Sequence, residues 1–429
     1  MSRVLTSELV SRVGQTVKLQ GWIHNLRLLG GSLAFLMLRD RSGMVQCVLE
    51  GALAQGIPTE SVVTITGTVV SAPKAVGGVE VRAASVEILS EAESPLPFEI
   101  NKKELKPGLE TLLDHRVISL RHPLIHAVFT IQSVLVGAFR EYLSNQGFTQ
   151  IFTPKIVATG TEGGSNLFPI QYFDRQAYLA QSPQFYKQMM VGAGYERVFE
   201  IAPVYRAEEH NTSRHLNEYT SLDIEMGFIE SEEDLMDLET GLLRHMFGAV
   251  GVKCEAELAR WGATVPTITE IPRIPMAEAQ AIIERRYGKL SPKGDLDPEG
   301  ERLLCQYVSE TGKPALVFLT RYPREIRPMY AMPAPEDQTL TASFDLLMNG
   351  LEVTTGGQRI HEASMLIESI RSRGLNPESF ASYLEVFRFG MPPHGGFAIG
   401  AERLTARLLG LTNVREATAF PRDRTRLTP

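Results

Sequence analysis

The sequence predicts an α+β protein in which a small N-terminal β-barrel precedes a larger mixed domain. Residues 1–90 contain four or five strand-length runs rich in Val, Ile and Leu, separated by turn residues. Residues 91–125 are rich in proline and charge, which is typical of a hinge. Helical and strand-like runs then mix without segregating through residues 126–429. We therefore predict a barrel at 1–90, a hinge at 91–125 and an α+β domain at 126–429.

Composition narrows the class of protein. The 429 residues carry a net charge of −7, with 43% apolar and 22% charged residues, which is ordinary for a globular protein. Cys47, Cys254 and Cys305 form no CxxC pair, so we predict neither a disulfide framework nor a zinc site. No apolar run approaches the roughly 20 residues of a membrane span, and the N-terminus lacks the features of a signal peptide. These features predict a cytoplasmic protein without a membrane segment.

The barrel strands alternate apolar and polar residues, which predicts one face toward the core and one toward solvent. An SH3-like or other small β-domain fits this pattern as well as any other barrel. Phe35 lies within one strand, and alternation alone fits a core position and a surface position equally. The acidic net charge counts against a nucleic-acid binder, but a local basic surface can occur on an acidic protein.

The first long helix is predicted from Ala127 to Gly147. The run VFTIQSVLVGAFREYLSNQGF has apolar residues spaced by three and four, and it ends at glycine.

Residues 205–225, YRAEEHNTSRHLNEYTSLDIE, alternate arginine, histidine and carboxylates. Neither the phosphate-binding loop GxxxxGK[ST] nor a dinucleotide-binding fingerprint in a βαβ setting occurs in the sequence. Any nucleotide would therefore be held by side chains and strand backbones. A solvated surface loop is the alternative, and it is the preferred interpretation for Glu209, His210 and Asn211.

Four further stretches join residues 205–225 in a recognisable order. They are TPKIVATGTEGGSNLF (153–168), YLAQSPQFYKQMM (178–190), SFDLLMNGLEVTTGGQRIHE (343–362) and MPPHGGFAIGAERLTARLLG (391–410). Together these stretches resemble the signature motifs of class II aminoacyl-tRNA synthetases and, within that class, the aspartyl-tRNA synthetase family. Residues 20–90, with GWIHNLR and LRDRSGMVQ, resemble the OB-fold anticodon-binding domain of the same family. The resemblance covers nearly the whole chain. It implies a class II catalytic domain with a mainly antiparallel sheet flanked by helices.

The resemblance implies an ATP site with an essential Mg²⁺. Arg206 would contact the α-phosphate and the substrate carboxylate. Arg403 would hold the terminal phosphates and also lie against one face of the base, so both arginines are predicted to be catalytic. Arginine suits this role because its planar fork stays charged and donates paired hydrogen bonds. The predicted ATP-binding residues are Arg206, Glu208, Arg214, His215, Leu216, Tyr219, Glu352, Gly400, Ala401, Glu402 and Arg403. The predicted Mg²⁺ ligands are Glu352, Thr355 and Asp345, although Asp345 equally fits a local pairing role.

The resemblance also implies which amino acid is bound. Lys187 and Arg359 fall at substrate-pocket positions, and two fixed positive charges favour a side-chain carboxylate over a neutral amide. Asparaginyl-tRNA synthetases lack a lysine at the position of Lys187. The predicted aspartate-binding residues are Glu162, Gln184, Lys187, Arg206, Thr355 and Arg359.

Binding of tRNA is implied for the barrel. Arg27, Phe35 and Gln46 are predicted to bind the anticodon, because single-stranded bases are held by stacking and edge hydrogen bonds. His24 and Val76 stand where stricter archaeal relatives carry tryptophan and lysine, which favours an enzyme that charges tRNA-Asn as well as tRNA-Asp. Neutral drift at these two positions is the alternative.

The chain length and the first signature imply further properties. Too few residues separate Glu225 from Ser343 for the extra domain of bacterial-type aspartyl enzymes, so the chain resembles the compact archaeal-type enzyme. Pro154 belongs to the first signature, which implies a homodimer with this proline at the interface. An enzyme that charges tRNA-Asn with aspartate implies an amidotransferase partner.

Three alternatives stay open at this point. An enzyme charging only tRNA-Asp would share every motif. An asparaginyl-tRNA synthetase, or the related asparagine synthetase, is disfavoured by Lys187 and by the barrel respectively. An OB-containing RNA-binding protein with a decayed catalytic domain is disfavoured by the intact set of Arg206, Glu352, Arg359 and Arg403.

Overall fold

A computed structural model describes residues 1–29, 32–161, 167–209 and 212–429. Some residues named above lie outside the described residues: Glu162, His210, Asn211 and the side chain of Val76. The chain divides into two compact units, Met1–His122 and Pro123–Pro429.

The first unit contains a closed five-stranded barrel with strand order β1-β2-β3-β5-β4. Its strands are β1 (Thr16–Leu29), β2 (Leu33–Asp40), β3 (Gly43–Glu50), β4 (Val62–Ser71) and β5 (Val79–Ser90). Along β2, Ala34, Leu36 and Leu38 are fully buried, because alternate side chains of a strand point to opposite faces. The predicted N-terminal barrel is therefore confirmed.

The residues after the barrel contain two short helices, α1 (Leu109–Asp114) and α2 (Arg116–Ser119). Both fall inside the segment that the sequence assigns to a hinge. The predicted boundaries of that hinge stay a prediction.

The second unit is built on an eight-stranded sheet with the order β12-β13-β14-β15-β16-β11-β10-β6, in which only the pairs β12–β13 and β10–β6 are parallel. The sheet strands are β6 (Thr149–Gln150), β10 (Arg197–Tyr205), β11 (Glu218–Gly227), β12 (Arg273–Pro275), β13 (Leu316–Thr320), β14 (Ser343–Met348), β15 (Leu351–Arg359) and β16 (His394–Gly400). The strands β7 (Ile156–Val157), β8 (Pro169–Tyr172) and β9 (Arg175–Leu179) form a separate small sheet. The predicted α+β class with a mainly antiparallel sheet is confirmed.

Helices flank the large sheet. They are α3 (Pro123–Asn145), α4 (Gln184–Met190), α5 (Glu232–Lys253), α6 (Glu255–Trp261), α7 (Met276–Tyr287), α8 (Pro298–Glu310), α9 (Ala363–Ser372), α10 (Ala381–Arg388) and α11 (Ala401–Leu409). The main core packs residues of α3, α5 and α11 against the sheet, including Leu135, Phe247 and Leu404.

Helix α3 starts at Pro123, four residues before the predicted start, because proline is well accommodated in the first helical turn. Gly147, just beyond its end, has a φ of 79°, which suits glycine at a helix C-terminus. By length and composition alone α3 is long and apolar enough to cross a membrane. Core helices pass the same test, and Ile131 and Phe139 of α3 are fully buried in the domain core.

Pro154 of the first signature lies outside the strands of the structure. This exposed proline lies in the connection between β6 and β7, outside both strands. Proline has no N–H to donate to a strand ladder, which explains the interruption. A role at a dimer interface stays a prediction.

Glu239 of α5 is a fully buried carboxyl group behind the sheet. Burial, together with the charge of Asp345, raises its pKa from 4.5 to about 8, and the nearby Thr354 hydroxyl offsets only part of the shift. Because the folded-state pKa is the higher one, this group destabilises the fold increasingly as pH rises from about 4.5 to about 8.

We therefore expect Glu239→Gln to increase the free energy of unfolding, by on the order of 3 kcal/mol at pH 8.5 and by less than half of that at pH 5.5. Urea unfolding of both proteins at the two pH values measures this difference. Glu284→Gln, at an exposed position of α7, is the matched control and should change neither value. An equal gain at both pH values would contradict the assignment.

Candidate active site

Strand β11 places a row of polar side chains on one face of the large sheet. Tyr219, Ser221, Asp223 and Glu225 occur at every second residue, so they share a face. The neighbouring strand β16 adds small residues to this face, since Glu225 pairs with Gly396.

One end of this face forms a cavity. Its walls come from the loop after β10, from β11, β15 and β16, and from the start of α11. The lining residues are Arg206, Glu208, Arg214, His215, Leu216, Tyr219, Ser221, Glu352, Val353, Thr355, Ala398, Gly400, Glu402, Arg403 and Val414. The structure thus brings together every residue predicted to bind ATP except Ala401, which is buried in the first turn of α11.

Within the cavity, cationic groups and an aromatic ring lie close together. The guanidinium carbon of Arg206 is 5.7 Å from the centre of the Tyr219 ring. Arg403 Nη1 donates to the backbone oxygen of Glu352 over 3.1 Å and lies 3.5 Å from its carboxylate. A positively lined cavity with an aromatic platform suits a polyphosphate that carries a planar base.

The acidic residue of this cavity is held by a bulge in the sheet. The register of β14 against β15 shifts between Leu346 and Leu347, and Thr355 Oγ1 donates to Glu352 Oε1 over 2.9 Å. Burial opposes ionisation of Glu352, but Arg403 and the Thr355 hydroxyl outweigh it and hold the pKa of this carboxyl below its ordinary value. Glu352 and Thr355 therefore lie in contact at the cavity wall, and their role as magnesium ligands stays a prediction.

Asp345 is engaged differently. It pairs across the strands with Thr355, but its Oδ1 lies 2.8 Å from Nη2 of the buried Arg327. Arg327 in turn lies 3.6 Å from the centre of the Tyr322 ring. Burial raises the pKa of Asp345 to about 6, and the attraction of Arg327 offsets this only in part. The geometry matches the alternative of local pairing, and a metal-binding role for Asp345 stays a prediction.

Several other cavity residues already have partners within the protein. Arg214 forms an ion pair with Glu301 of α8 and donates to the Gly350 carbonyl. Both carboxylate oxygens of Glu402 accept from the Thr220 backbone N–H, at 3.0 and 3.1 Å. Glu402 therefore fixes the start of α11 to β11. This contact also positions Arg403, which is the next residue in the chain.

The other end of the face holds a buried cluster of charges. Lys187 Nζ lies 3.0 Å from Asp223 Oδ1 and 3.3 Å from Glu225 Oε2. Arg359 Nε donates to Glu225 Oε1 over 3.1 Å, and its Nη2 approaches Gln184 Oε1 at 3.4 Å. The predicted residues Gln184, Lys187 and Arg359 are thus in one cluster with two carboxylates.

This cluster corrects the expected charge of the pocket. The sequence predicts two fixed positive charges, at Lys187 and Arg359. In the structure the negative charges of Asp223 and Glu225 balance these two charges. Burial opposes ionisation of Glu225, but Arg359 and Lys187 hold the pKa of this carboxyl below its ordinary value. The cluster therefore contains both donors suited to a carboxylate and acceptors suited to an ammonium group.

Sequence reasoning missed Asp223, Glu225 and Gly396. A Cβ atom at Gly396 would lie 2.3 Å from Glu225 Oε2 and 2.1 Å from the Ile224 carbonyl oxygen, so only glycine fits there. The signal was present in YTSLDIE, where polar residues at every second position mark one face of a strand.

The residues fit a magnesium ion that is bound together with phosphates. Among the described residues no group of three His, Cys, Asp or Glu side chains is arranged to hold a metal by itself. Mg²⁺ is commonly held by one or two carboxylates plus substrate phosphates, which agrees with Glu352 and Thr355 in the cavity wall.

The barrel carries its own candidate surface. Arg27 pairs with Phe35, and Phe35 pairs with Val48, so these side chains form one row on a face of the barrel. Because Ala34 and Leu36 are fully buried, Phe35 points outward, which decides the ambiguity left by the sequence. A second row contains Asn25, Met37 and Gln46, and His24 precedes Asn25 at a bulge. Arg27, Phe35, Gln46 and His24 are thus all on the outer side of the barrel.

Comparison with protein families agrees with this geometry. The family model described as "tRNA synthetases class II (D, K and N)" matches residues 108–424. The chain belongs to this family. A second family model, described as an OB-fold nucleic acid binding domain, matches residues 17–89 of the synthetase. Class II synthetases use ATP and Mg²⁺ in general.

Characterised relatives span the full length of the synthetase. The Aspartate--tRNA(Asp/Asn) ligase of Deinococcus radiodurans is 53% identical and covers 100% of this chain and 99% of its own. The protein of the same name from Thermus thermophilus is 54% identical, with complete coverage of both chains. The Aspartate--tRNA(Asp) ligase of Pyrococcus abyssi is 45% identical over 97% of each chain.

Solved structures share the fold. The asparaginyl-tRNA synthetase from Pyrococcus horikoshii, complexed with asparaginyl-adenylate, superposes with a TM-score of 0.93 at 30% identity and covers 100% of both chains. The aspartyl-tRNA synthetase from Entamoeba histolytica has a TM-score of 0.89 at 31% identity, covering 100% of this chain and 93% of its own. The fold is therefore common to synthetases that are named for different amino acids.

Proposed function

We propose that the synthetase is an aspartate–tRNA ligase that forms aspartyl-adenylate from ATP and transfers aspartate to tRNA-Asp and tRNA-Asn. The observation that carries this proposal is the shared face of β11. One end lines the cavity that contains Arg206 and Arg403, and the other holds the balanced cluster around Lys187 and Arg359. The names of the relatives with the higher identities point to the same activity.

In the first step the α-carboxylate of aspartate bonds to the α-phosphorus of ATP, and the bond to the pyrophosphate oxygen breaks. The nucleophile is already ionised, so no side chain needs to accept a proton. Catalysis is then positioning and charge stabilisation, for which Arg206 and Arg403 are placed. Glu352 and Thr355 would hold Mg²⁺, which supplies charge neutralisation for the leaving pyrophosphate.

In the second step a ribose hydroxyl of the terminal adenosine of tRNA attacks the acyl carbon, and AMP leaves. The outer face of the barrel, with Arg27, Phe35 and Gln46, would bind the anticodon. The proposal includes a cytoplasmic homodimer with Pro154 at its interface, and an amidotransferase that acts on the aspartate carried by tRNA-Asn.

The proposal is tested by charging purified tRNA-Asp and tRNA-Asn transcripts with labelled aspartate, ATP and Mg²⁺, beside ATP–pyrophosphate exchange with aspartate or asparagine. Charging of both transcripts with aspartate is the expected result. Charging of tRNA-Asp alone would contradict the dual specificity but keep the ligase. Exchange that depends on asparagine would overturn the choice of amino acid.

A prediction for the metal follows from the position of Glu352. We expect Glu352→Gln to lower exchange by about 100-fold and to raise the Mg²⁺ concentration needed for half-maximal exchange, because a carboxylate ligand is lost. A magnesium titration of exchange measures both effects. Glu301→Gln, which removes a carboxylate outside the proposed ligand set, should leave the half-maximal magnesium concentration unshifted.

A further inference from the structure

A buried ion cluster lies beside His24 in the first unit. The Arg39 guanidinium binds the Glu60 carboxylate through two parallel contacts, Nη1 to Oε1 at 3.0 Å and Nη2 to Oε2 at 2.6 Å. Arg121 Nη1 adds a third contact to Glu60 at 3.2 Å. The Glu60 side chain is only 1% exposed, so Arg39 is held in a fixed position.

The Arg39 guanidinium also determines the chemical form of His24. Arg39 Nη1 lies 2.9 Å from Nδ1 of His24, within hydrogen-bonding distance. A guanidinium can only donate, so Nδ1 must be the unprotonated acceptor and the ring proton must be on Nε2. The nitrogen left to contact a ligand is therefore the Nε2–H donor.

Burial and the neighbouring positive charges favour the neutral form of His24. Burial lowers the pKa of His24, the Arg39 and His122 charges lower it further, and Glu60, with Oε1 4.0 Å from Nδ1, opposes them without reversing the shift. Arg121 also contacts Glu60.

His24 occupies a position from which a base can be reached. It borders a cavity of about 210 Å³, which Thr59, Glu60 and the segment 93–101 complete. It also precedes Asn25, whose row on the outer face of the barrel contains Met37 and Gln46.

We propose that Arg39, clamped by Glu60, is a positioning residue that presents His24 to the anticodon as a neutral, single N–H donor. This inference rests on the proposed function. The two anticodons differ in their third base, which is cytosine in tRNA-Asp and uracil in tRNA-Asn. The two pyrimidines share the O2 carbonyl and differ at position 4, so one donor directed at O2 binds both. Dual specificity would then follow from the form of one imidazole, and an added charge or second donor would disturb it.

The tautomer is measured directly by ¹⁵N NMR of the full-length, histidine-labelled protein, with His24→Gln used to assign the signal. The expected result is a protonated Nε2 and an unprotonated Nδ1 between pH 6.0 and pH 8.0. A protonated Nδ1, or titration of His24 near its ordinary pKa, would overturn the inference.

The functional consequence is measured as the ratio of tRNA-Asn to tRNA-Asp charging across the same pH range. The variant Arg39→Met/Glu60→Gln removes the clamp without leaving Glu60 as a buried, unbalanced charge. With His24 free to titrate near pH 6.5, its ratio should change by about threefold or more between pH 8.0 and pH 6.0, while the wild-type ratio stays within about 1.5-fold. The control Arg12→Met/Glu8→Gln removes an exposed ion pair of the same unit and should behave like wild type.

A flat ratio in the clamp variant would overturn the inference even if both tRNAs are charged. ATP–pyrophosphate exchange needs no tRNA and is measured on the same preparations. Absence of aspartate-dependent exchange in the wild type would instead contradict the proposed function, and the NMR result would still decide the tautomer.

Discussion

Replacing Arg206 by alanine is expected to reduce ATP–pyrophosphate exchange by about 10³-fold, because one preorganised donor at a developing charge contributes that much. Arg206 lies over the Tyr219 ring in the cavity wall. Its planar fork can bind an α-phosphate oxygen and a carboxylate oxygen together. Arg206→Lys keeps the charge but loses this geometry, so we expect an intermediate loss of about 10- to 100-fold.

The Arg206 variants are compared with Arg286→Ala, which removes an arginine from an exposed ion pair with Glu310 and should leave exchange unchanged. Circular dichroism and the thermal midpoint report folding in each case. Near-normal exchange in a folded Arg206→Ala protein would contradict the role assigned to this residue.

The second large effect is expected at Lys187. The variant Lys187→Met leaves Asp223 and Glu225 with only Arg359 to balance them in a buried site. We expect the free energy of unfolding to fall by about 3–5 kcal/mol, as for the loss of one partner of a buried pair. Aspartate-dependent exchange should fall by at least about 100-fold, because the substrate carboxylate loses a charged donor.

A paired variant separates stability from binding. In Lys187→Met/Asp223→Asn one charge of each sign is removed, so stability should largely recover while aspartate still fails to support exchange. Urea unfolding and the KM for aspartate measure the two effects. If the paired variant also regained a normal KM for aspartate, Lys187 would have only a structural role.

The motifs and their order along the chain predicted which residues line the cavity. Arg403 is nearly 200 residues from Arg206 and Glu208 in the chain, yet all three line one cavity as the resemblance implied. The barrel was likewise predicted from short runs rich in Val, Ile and Leu that are separated by turn residues.

Other features depend on pairing between distant strands, which one sequence does not reveal. Phe35 fitted a core or a surface position until the register of β2 placed it outside. The sequence contains the carboxylates of Asp223 and Glu225, but it does not show that they contact Lys187 and Arg359. These contacts form only in the folded sheet. The ion pair of Asp345 with Arg327 is hidden for the same reason.

Strand β11 sets a scale for the reaction. Successive side chains on one face of a strand are about 6.8 Å apart, so the distance from Tyr219 to Glu225 is fixed by the backbone in whole steps. If β11 shifted by one residue against its neighbouring strands, the side chains at both ends of the row would move to the opposite face of the sheet. The strand thus sets a fixed distance between the side chains beside the phosphates and the side chains beside the amino acid. A substitution at the Glu225 end of the row can therefore change which substrate amino acid is bound. The cavity at the Tyr219 end keeps its position.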